Sequence, residues 1–451
     1  MDKRALKIYA ITDRQWLKPD QTLGQAVEQA ILGGATIIQL REKHLTGQAL
    51  KDLALEVKQV CNSYRVPFII NDDVILARDI DADGVHVGQS DMAVAEARKV
   101  LGNGKIVGAT AKTVEQAVRA QKEGADYLGS GAIFGTSTKL DAKPMTMDLL
   151  NLICASVSIP VVAIGGIDKS NISRLKAARI AGAAVVSGIF ASSNILRATQ
   201  ELNEDLHGKR IIHCITNSVT VNQVANVILA TGGSPIMAHH KQEVASVQDF
   251  ASGLLVNLGA TDDYQAIEIA YKEAINRGRP IVIDPVGVGG IPFRRQFMKK
   301  LLDIGSPTCI RGNYGEIKAI YQESSTMEGL DCELESDASL VQALAKKLSC
   351  IVVASGKCDI IADQDNCVTL DTGHKMQKSV TGSGCMLSAV ICRFLANGIK
   401  PSIARVVYAC KLMGDTAREA VGNEAAGNEA AGKEMGMMSF LNAWLDLISI
   451  K

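Results

Sequence analysis

No stretch of eighteen uncharged apolar residues occurs in the 451-residue chain, which argues against a membrane-spanning helix. An excess of charge is also missing. Lys and Arg total 48, as do Asp and Glu, so bulk electrostatics favour neither a nucleic-acid nor an anionic-membrane partner. The eleven cysteines form no Cys-x-x-Cys pair and no Cys/His cluster at zinc spacing, and their number is odd. That excludes a disulfide framework and reads as the reduced thiols of a cytosolic protein. Met1-Asp2-Lys3-Arg4, leading into Ile8-Tyr9-Ala10-Ile11, lacks the apolar h-region and cleavage site of a secretory signal. No Gly-x-x-x-x-Gly-Lys-Ser/Thr occurs, so any ATP chemistry is not of the P-loop kind. The expectation left is a soluble, cytoplasmic protein of two or three domains that acts on small molecules.

From Leu6 to about Leu206 short β-branched or apolar runs alternate with segments of helical periodicity. The strands expected are Lys7 to Thr12, Thr36 to Arg41, Pro67 to Asn71, Gly84 to Gly88, Lys105 to Thr110, Asp126 to Ser130, Pro160 to Gly165 and Ala183 to Gly188. Between them helices are expected at Leu23 to Leu32, Leu50 to Tyr64, Val94 to Leu101, Val114 to Glu123, Asp148 to Ala155 and Ile172 to Ala181, several stopped by Gly33, Gly102, Gly124 and Gly182. Eight such units fit a parallel (β/α)₈ TIM barrel, although an open doubly wound sheet shares the local pattern.

In a barrel, chemistry gathers at the C-terminal strand ends. There Gln39, Arg41 and Lys43 alternate with apolar or acidic residues, a donor face suited to an anion. Asn71-Asp72-Asp73 and Gln89-Ser90-Asp91 leave adjacent strands; each acid alone reads as a helix cap, and the two together suit Mg²⁺ that also binds substrate phosphate. Phe134 to Lys139 is a hydroxyl-rich loop closed by a lysine, and Gly165-Gly166 and Ser187-Gly188 close the last two strands as a barrel phosphate site would.

Asn203 to Arg210 is a short polar break, placing a boundary between residues 207 and 208. Beyond it an α/β pattern resumes. Strands are expected from Ile211 and at Leu254 to Leu258, Pro280 to Asp284, Thr308 to Ile310 and Ile351 to Ala354; helices at Asn222 to Leu229, Tyr264 to Asn276, Ala338 to Leu348, Met386 to Ala396, Ile403 to Ala420 and Met437 to Ile448. An open sheet with helices on both faces fits. The repeat at 422–432 reads as a mobile connection. Val380-Thr381-Gly382-Ser383-Gly384-Cys385 opens a helix with a glycine-rich turn, a place to hold a transferring phosphate.

These motifs carry two resemblances. Residues 1 to about 205 resemble thiamine-phosphate synthase, through Gln39 to Lys43, Ile70-Asn71-Asp72, Val87 to Asp91, Gly135 to Lys139, Ile164 to Ile167 and Val186-Ser187-Gly188. The family joins a hydroxymethylpyrimidine diphosphate to a thiazole phosphate and releases pyrophosphate. The resemblance implies that Gln39, Arg41, Lys43, Asn71, Thr110 and Lys139 hold the pyrimidine diphosphate. It places Mg²⁺ on Asp72 and Asp91, and the thiazole phosphate on Thr136, Ser137, Thr138, Gly166, Val186 and Ser187. Arg41, Lys43 and Lys139 would stabilise the departing charge.

Residues 209 to 451 resemble hydroxyethylthiazole kinase, a branch of the ribokinase-like fold, through His213 to Asn217, Ser234 to His239, Ile283 to Gly287, Arg311 to Glu316, Val353 to Lys357 and Thr381 to Cys385. By that resemblance Met237 and Gly382 contact the thiazole alcohol, Arg311 and Ser355 bind ATP, and Asp284 and Glu316 organise Mg²⁺. Cys385 is either a thiolate base, its pKa lowered at a helix N-terminus, or a small residue that lets the hydroxyl approach. Kinases of this kind form trimers with sites between subunits, which implies a homo-oligomer. The expectation is a bifunctional thiamine-pathway enzyme. The alternatives are one live half fused to a silent thiazole- or thiamine-binding half, and a structural oligomer whose glycine loops are only turns.

Overall fold

The computed structural model describes residues 1–135, 145–260, 264–322, 337–398, 400–429 and 436–451, and of 423–429 the backbone only. The chain divides into two compact units, Met1–Lys209 with Asn397–Lys400, and Arg210–Ala396 with Pro401–Lys451.

Eight parallel strands close the first unit into a barrel in sequence order: β1 (Ile8–Ile11), β2 (Ile37–Leu40), β3 (Phe68–Asn71), β4 (Gly84–Val87), β5 (Ile106–Thr110), β6 (Tyr127–Gly131), β7 (Val161–Ile164) and β8 (Gly182–Val185). Side chains alternate across each strand, so Tyr9, Ile11, Ile37, Ile69, Tyr127, Val162 and Ala184 form one cluster within the ring. Burying each Ile or Val among them contributes roughly 1.5–3 kcal/mol. Side-chain caps start the crossover helices: Thr22 and Gln25 make a reciprocal capping box at Leu23–Gly33, and Thr113 and Thr146 cap the helices Val114–Lys122 and Met147–Ser156.

Several expectations are corrected here. The first helix is closed by Gly34, in the left-handed region, and Gly33 is still helical. Ile172 to Ala181 is no α-helix but a 3₁₀ segment, Ile172–Ala177. Gly182 stops nothing; it opens β8. Ser187 lies outside β8, at the start of a short helix, Ser187–Phe190. A helix at Val74–Asp79 has too few residues to show periodicity.

The second unit is an eight-stranded sheet of β9 (Ile211–Ile215), β10 (Ser234–Ile236), β11 (Gly253–Asn257), β12 (Ile281–Asp284), β13 (Cys309–Asn313), β14 (Ile351–Ser355), β15 (Asp359–Ala362) and β16 (Cys367–Leu370), ordered 10-9-11-12-13-14-15-16. The first six are parallel, and β15 and β16 extend the edge as antiparallel strands absent from the expectation. One sheet face is covered by a core drawn from Tyr264–Asn276, Pro292–Ile304, Tyr314–Gln322 and Ala338–Leu348. The helix Ser383–Leu395 packs against β9, β11 and β12. Because the chain goes from β9 outward to β10 and then back across to β11, the strand order reverses here, and at such a point open α/β sheets bind ligands beyond the C-terminal strand ends. The long helix Ile403–Glu429 runs on through most of the 422–432 repeat, which is therefore no loose connection up to Glu429; its Ala and Glu content favours helix. Among the described residues no helix is long and apolar enough to cross a membrane.

Candidate active sites

In the barrel, Gln39 is buried near the end of β2, and its Nε2 donates to Tyr9 Oη at 2.7 Å. Tyr9 Oη lies 2.7 Å from Tyr127 Oη, which lies 3.0 Å from His86 Nδ1; His86 Nε2 lies 3.0 Å from Thr110 Oγ1. Two residues expected at the site, on β2 and β5, are thus joined by a polar chain through the barrel interior. Burial pushes both phenols up, so Tyr9 and Tyr127 stay neutral.

β2 ends at Leu40, so Arg41 and Lys43 lie on its exit rather than on the strand. Arg41 N–H donates to the buried Thr12 Oγ1 at 3.0 Å. Between the two cations Glu42 turns away into an ion pair with Arg14, 3.0 Å from its Nε. Asn71 ends β3, and Asp72 takes the left-handed conformation, φ 65°, with its N–H donating to His86 O at 2.8 Å. Asp73 is the helix cap, accepting from Leu76 N at 2.8 Å, which leaves Asp72 out of that role. Asp91, past β4, accepts from Gly88 N at 2.7 Å with one oxygen. Asp72 and Asp91 therefore leave neighbouring strands, and two acids suit Mg²⁺ that keeps waters and shares substrate phosphate. Past β7, Gly166 has φ 63°, and a Cβ there would fall 2.2 Å from Gly135 O, so the backbone comes as close as only glycine permits. Val186 precedes the Ser187–Phe190 helix. Thr136, Ser137, Thr138 and Lys139 lie outside the described residues.

In the second unit the parallel strands present their ends along one edge. Asn257 and Asp284 are register partners on β11 and β12, as are Asn313 and Ser355 on β13 and β14. Asn257 Nδ2 donates to Asp284 Oδ2 at 3.0 Å and reaches Cys385 Sγ at 3.1 Å, while its Oδ1 accepts from Gly259 N at 2.8 Å. Cys385 sits in the first turn of Ser383–Leu395; Gly382 is the N-cap, with Thr220 beside it. Arg311 Nη1 is 3.9 Å from Asp284 Oδ1, and Nη2 donates to Ser355 Oγ, which in turn donates to Gly312 O at 3.2 Å. A Cβ on Gly384 would fall 2.4 Å from Arg311 Nη1, so the missing side chain is what lets the guanidinium lie against the helix start.

Electrostatics mark this as a place short of positive charge. Burial holds Asp284 above the usual carboxylate range, against the pull of Arg311. Burial and then the Asp284 charge push Glu316 up to about 7. Glu316 accepts from Gly287 N and Asn313 N, at 2.9 Å each, and keeps a lone pair on each oxygen. Two buried carboxylates, each raised by burial and one further by the other's charge, are relieved by a divalent cation, so the donor set fits Mg²⁺. Cys385 goes the opposite way from the lowering expected at a helix end: burial, then the Asp284 charge, push its thiol up to about 12. At neutral pH it is a thiol. Met237 lies half-buried just past β10.

Comparison with known proteins agrees with this division. The thiamine monophosphate synthase family model matches residues 8–189, and that of the hydroxyethylthiazole kinase family matches 204–450. The "Probable thiamine biosynthetic bifunctional enzyme" of Schizosaccharomyces pombe is 32% identical over 432 residues, 85% of this chain and 83% of that protein. The chain belongs to the bifunctional thiamine-biosynthesis enzymes. The "Thiamine biosynthetic bifunctional enzyme" of Saccharomyces cerevisiae is 30% identical over 86% of each chain. A thiamine-phosphate synthase of Ruminiclostridium cellulolyticum is 49% identical to the first half, over 44% of this chain and 93% of its own. The first unit is a thiamine-phosphate synthase domain and the second a hydroxyethylthiazole kinase domain.

Residues unnoticed in the sequence help to build both halves. In the synthase these are Tyr9, His86 and Tyr127, whose signal is a polar ring at an inward strand position among β-branched neighbours. In the kinase they are Asn257 and Thr220. Asn257 ends an apolar strand as Asp284 does, and that shared pattern could have found it.

Proposed function

We propose that the kinase domain transfers the γ-phosphoryl group of ATP to the hydroxyl of hydroxyethylthiazole, and that the synthase domain condenses the thiazole phosphate with hydroxymethylpyrimidine diphosphate to give thiamine phosphate and pyrophosphate. The observation that carries this reading is the Asn257–Asp284–Cys385 cluster at the start of Ser383–Leu395, with Arg311 across it. There the alcohol oxygen bonds to the γ-phosphorus as the bridge to the β-phosphate breaks, ADP leaves, and the hydroxyl proton passes to an oxygen of the transferred phosphate. The free N–H groups of the helix start and the Arg311 guanidinium face the charge that spreads over the transferring group. Arg311 and Ser355 bind ATP, Met237 and Gly382 contact the thiazole alcohol, and Asp284 and Glu316 would hold Mg²⁺, which when bound neutralises phosphate charge.

In the synthase domain the pyrimidine carbon loses pyrophosphate and bonds to the thiazole nitrogen. Gln39, Arg41, Lys43, Asn71, Thr110 and Lys139 hold the diphosphate substrate, with Asp72 and Asp91 as Mg²⁺ ligands; Thr136, Ser137, Thr138, Gly166, Val186 and Ser187 receive the thiazole phosphate. No general base is required, because the thiazole nitrogen already carries its lone pair, and the cations stabilise the departing group. Ten free cysteines among the described residues support a reducing, cytoplasmic setting. A homo-oligomer is part of this reading, as the resemblance to the trimeric hydroxyethylthiazole kinases implies.

Thiazole alcohol, ATP, Mg²⁺ and pyrimidine diphosphate supplied together should yield thiamine phosphate. Product formed only from ready-made thiazole phosphate would mean a silent kinase half. We read Cys385 as a contact residue rather than a base: Asn257 Nδ2 reaches its Sγ at 3.1 Å, and burial pushes its thiol away from the thiolate form. Cys385→Ala should therefore slow phosphorylation by less than about tenfold and leave condensation unchanged, where loss of a true base would cost about 10²–10⁴-fold.

A further inference from the structure

The segment that carries Met237 is held from below by a residue with no part in the phosphate chemistry. His213 is fully buried in the middle of β9, where it pairs with Ile236 of β10 on one side and Leu254 of β11 on the other. Its Nε2 lies 2.8 Å from Ala238 O, and its Nδ1 lies 2.6 Å from Nε2 of Gln248, which is itself fully buried on the helix Val244–Phe250. A carbonyl oxygen only accepts, so the His213 Nε2 bears the hydrogen. In the neutral ring Nδ1 is then bare and accepts from the Gln248 amide. Burial pushes the ring pKa down, in keeping with that neutral form. From the solvent side, His239 Nδ1 donates to Met237 O at 3.1 Å, and Glu243 Oε1 accepts from the N–H groups of His239 and His240, at 3.1 Å each.

We propose that His213 is a positioning residue for the acceptor alcohol: it donates Nε2–H to the Ala238 carbonyl and so fixes the Met237–Ala238 backbone, while the Gln248 amide bonds the bare Nδ1 and holds the ring in place. This rests on the reading of Met237 as a contact of the thiazole alcohol. A backbone held in its binding conformation spends less of the ligand's interaction energy on ordering. Loss of the bond should therefore raise KM for the alcohol and spare both KM for ATP and kcat.

The two side chains that mimic opposite edges of the imidazole provide the test. Glutamine places an N–H donor near the Nε2 position; asparagine matches only Nδ1 and falls short of Ala238. In the full-length protein, His213→Asn is expected to raise KM for hydroxyethylthiazole about tenfold, the loss of one buried hydrogen bond, with KM for ATP and kcat within about twofold of wild type. His213→Gln should recover most of that loss. Met237→Ala, assayed alongside, should raise the same KM. If Met237→Ala leaves it unchanged, the reading of this segment as the alcohol site is overturned. If Met237→Ala raises it and His213→Asn does not, the role of His213 alone is overturned. Should His213→Asn fail to fold, ¹⁵N-histidine NMR of the unaltered protein decides. The Nε2–H tautomer of His213 is expected at neutral pH, and an Nδ1–H tautomer or an imidazolium would overturn the proposal.

Discussion

Asp284→Asn is expected to slow phosphorylation of hydroxyethylthiazole by about 10³-fold and to leave condensation of supplied thiazole phosphate unchanged. The carboxylate is 1% exposed, accepts from Asn257 Nδ2, and has Arg311 at 3.9 Å as its nearest cation. Removing its charge takes away a donor for Mg²⁺ while preserving shape and the Asn257 bond. The folded-state pKa lies above the ordinary carboxylate value, so ionised Asp284 is disfavoured by folding at every pH above that pKa. Asparagine relieves this burden. The melting temperature of the ligand-free protein at pH 8 should thus rise, and the gain should shrink only as the pH falls below that pKa toward the ordinary carboxylate value. A slow enzyme that melts later is a functional loss; one that melts earlier would show instead that Asp284 holds the fold together.

Asp72→Asn should slow condensation by about 10²-fold or more, with phosphorylation of the thiazole alcohol intact. The choice of asparagine follows from the backbone. Asp72 has φ 65°, a conformation that Asp and Asn tolerate and that costs most other residues about 1–2 kcal/mol. Asp72→Ala removes the same charge and adds that strain, so it should match Asp72→Asn in rate and melt at a lower temperature. If the two variants differed in rate as well, backbone geometry rather than the carboxylate would be setting the chemistry. Loss of both activities in a folded protein would contradict two separate sites.

Much of this architecture is written in local patterns. The eight barrel strands are short runs of residues such as Ile8 to Ile11 and Val161 to Ile164, and the helix Val94–Leu101 is bounded by its own periodicity and by Gly102. Local patterns fail where long-range packing decides. The Ile172–Ala177 turn has the apolar spacing of an α-helix and takes the tighter form. β15 and β16 are four-residue strands whose pairing depends on β14 lying beside them.

The candidate sites divide along the same line. Residue type and order alone determined that acids and amides would stand at strand ends and that a glycine turn would open the Ser383–Leu395 helix, because strand periodicity and helix ends are local properties of the chain. Tertiary structure alone decided that Gln39 and Thr110 meet through Tyr9, Tyr127 and His86, that Asn257 binds both Asp284 and Cys385, and that the Cys385 thiol titrates upward. The reason is physical: hydrogen bonds between distant strands and the loss of water around a buried thiol arise only once the sheet has closed over them, and there burial outweighs the helix end.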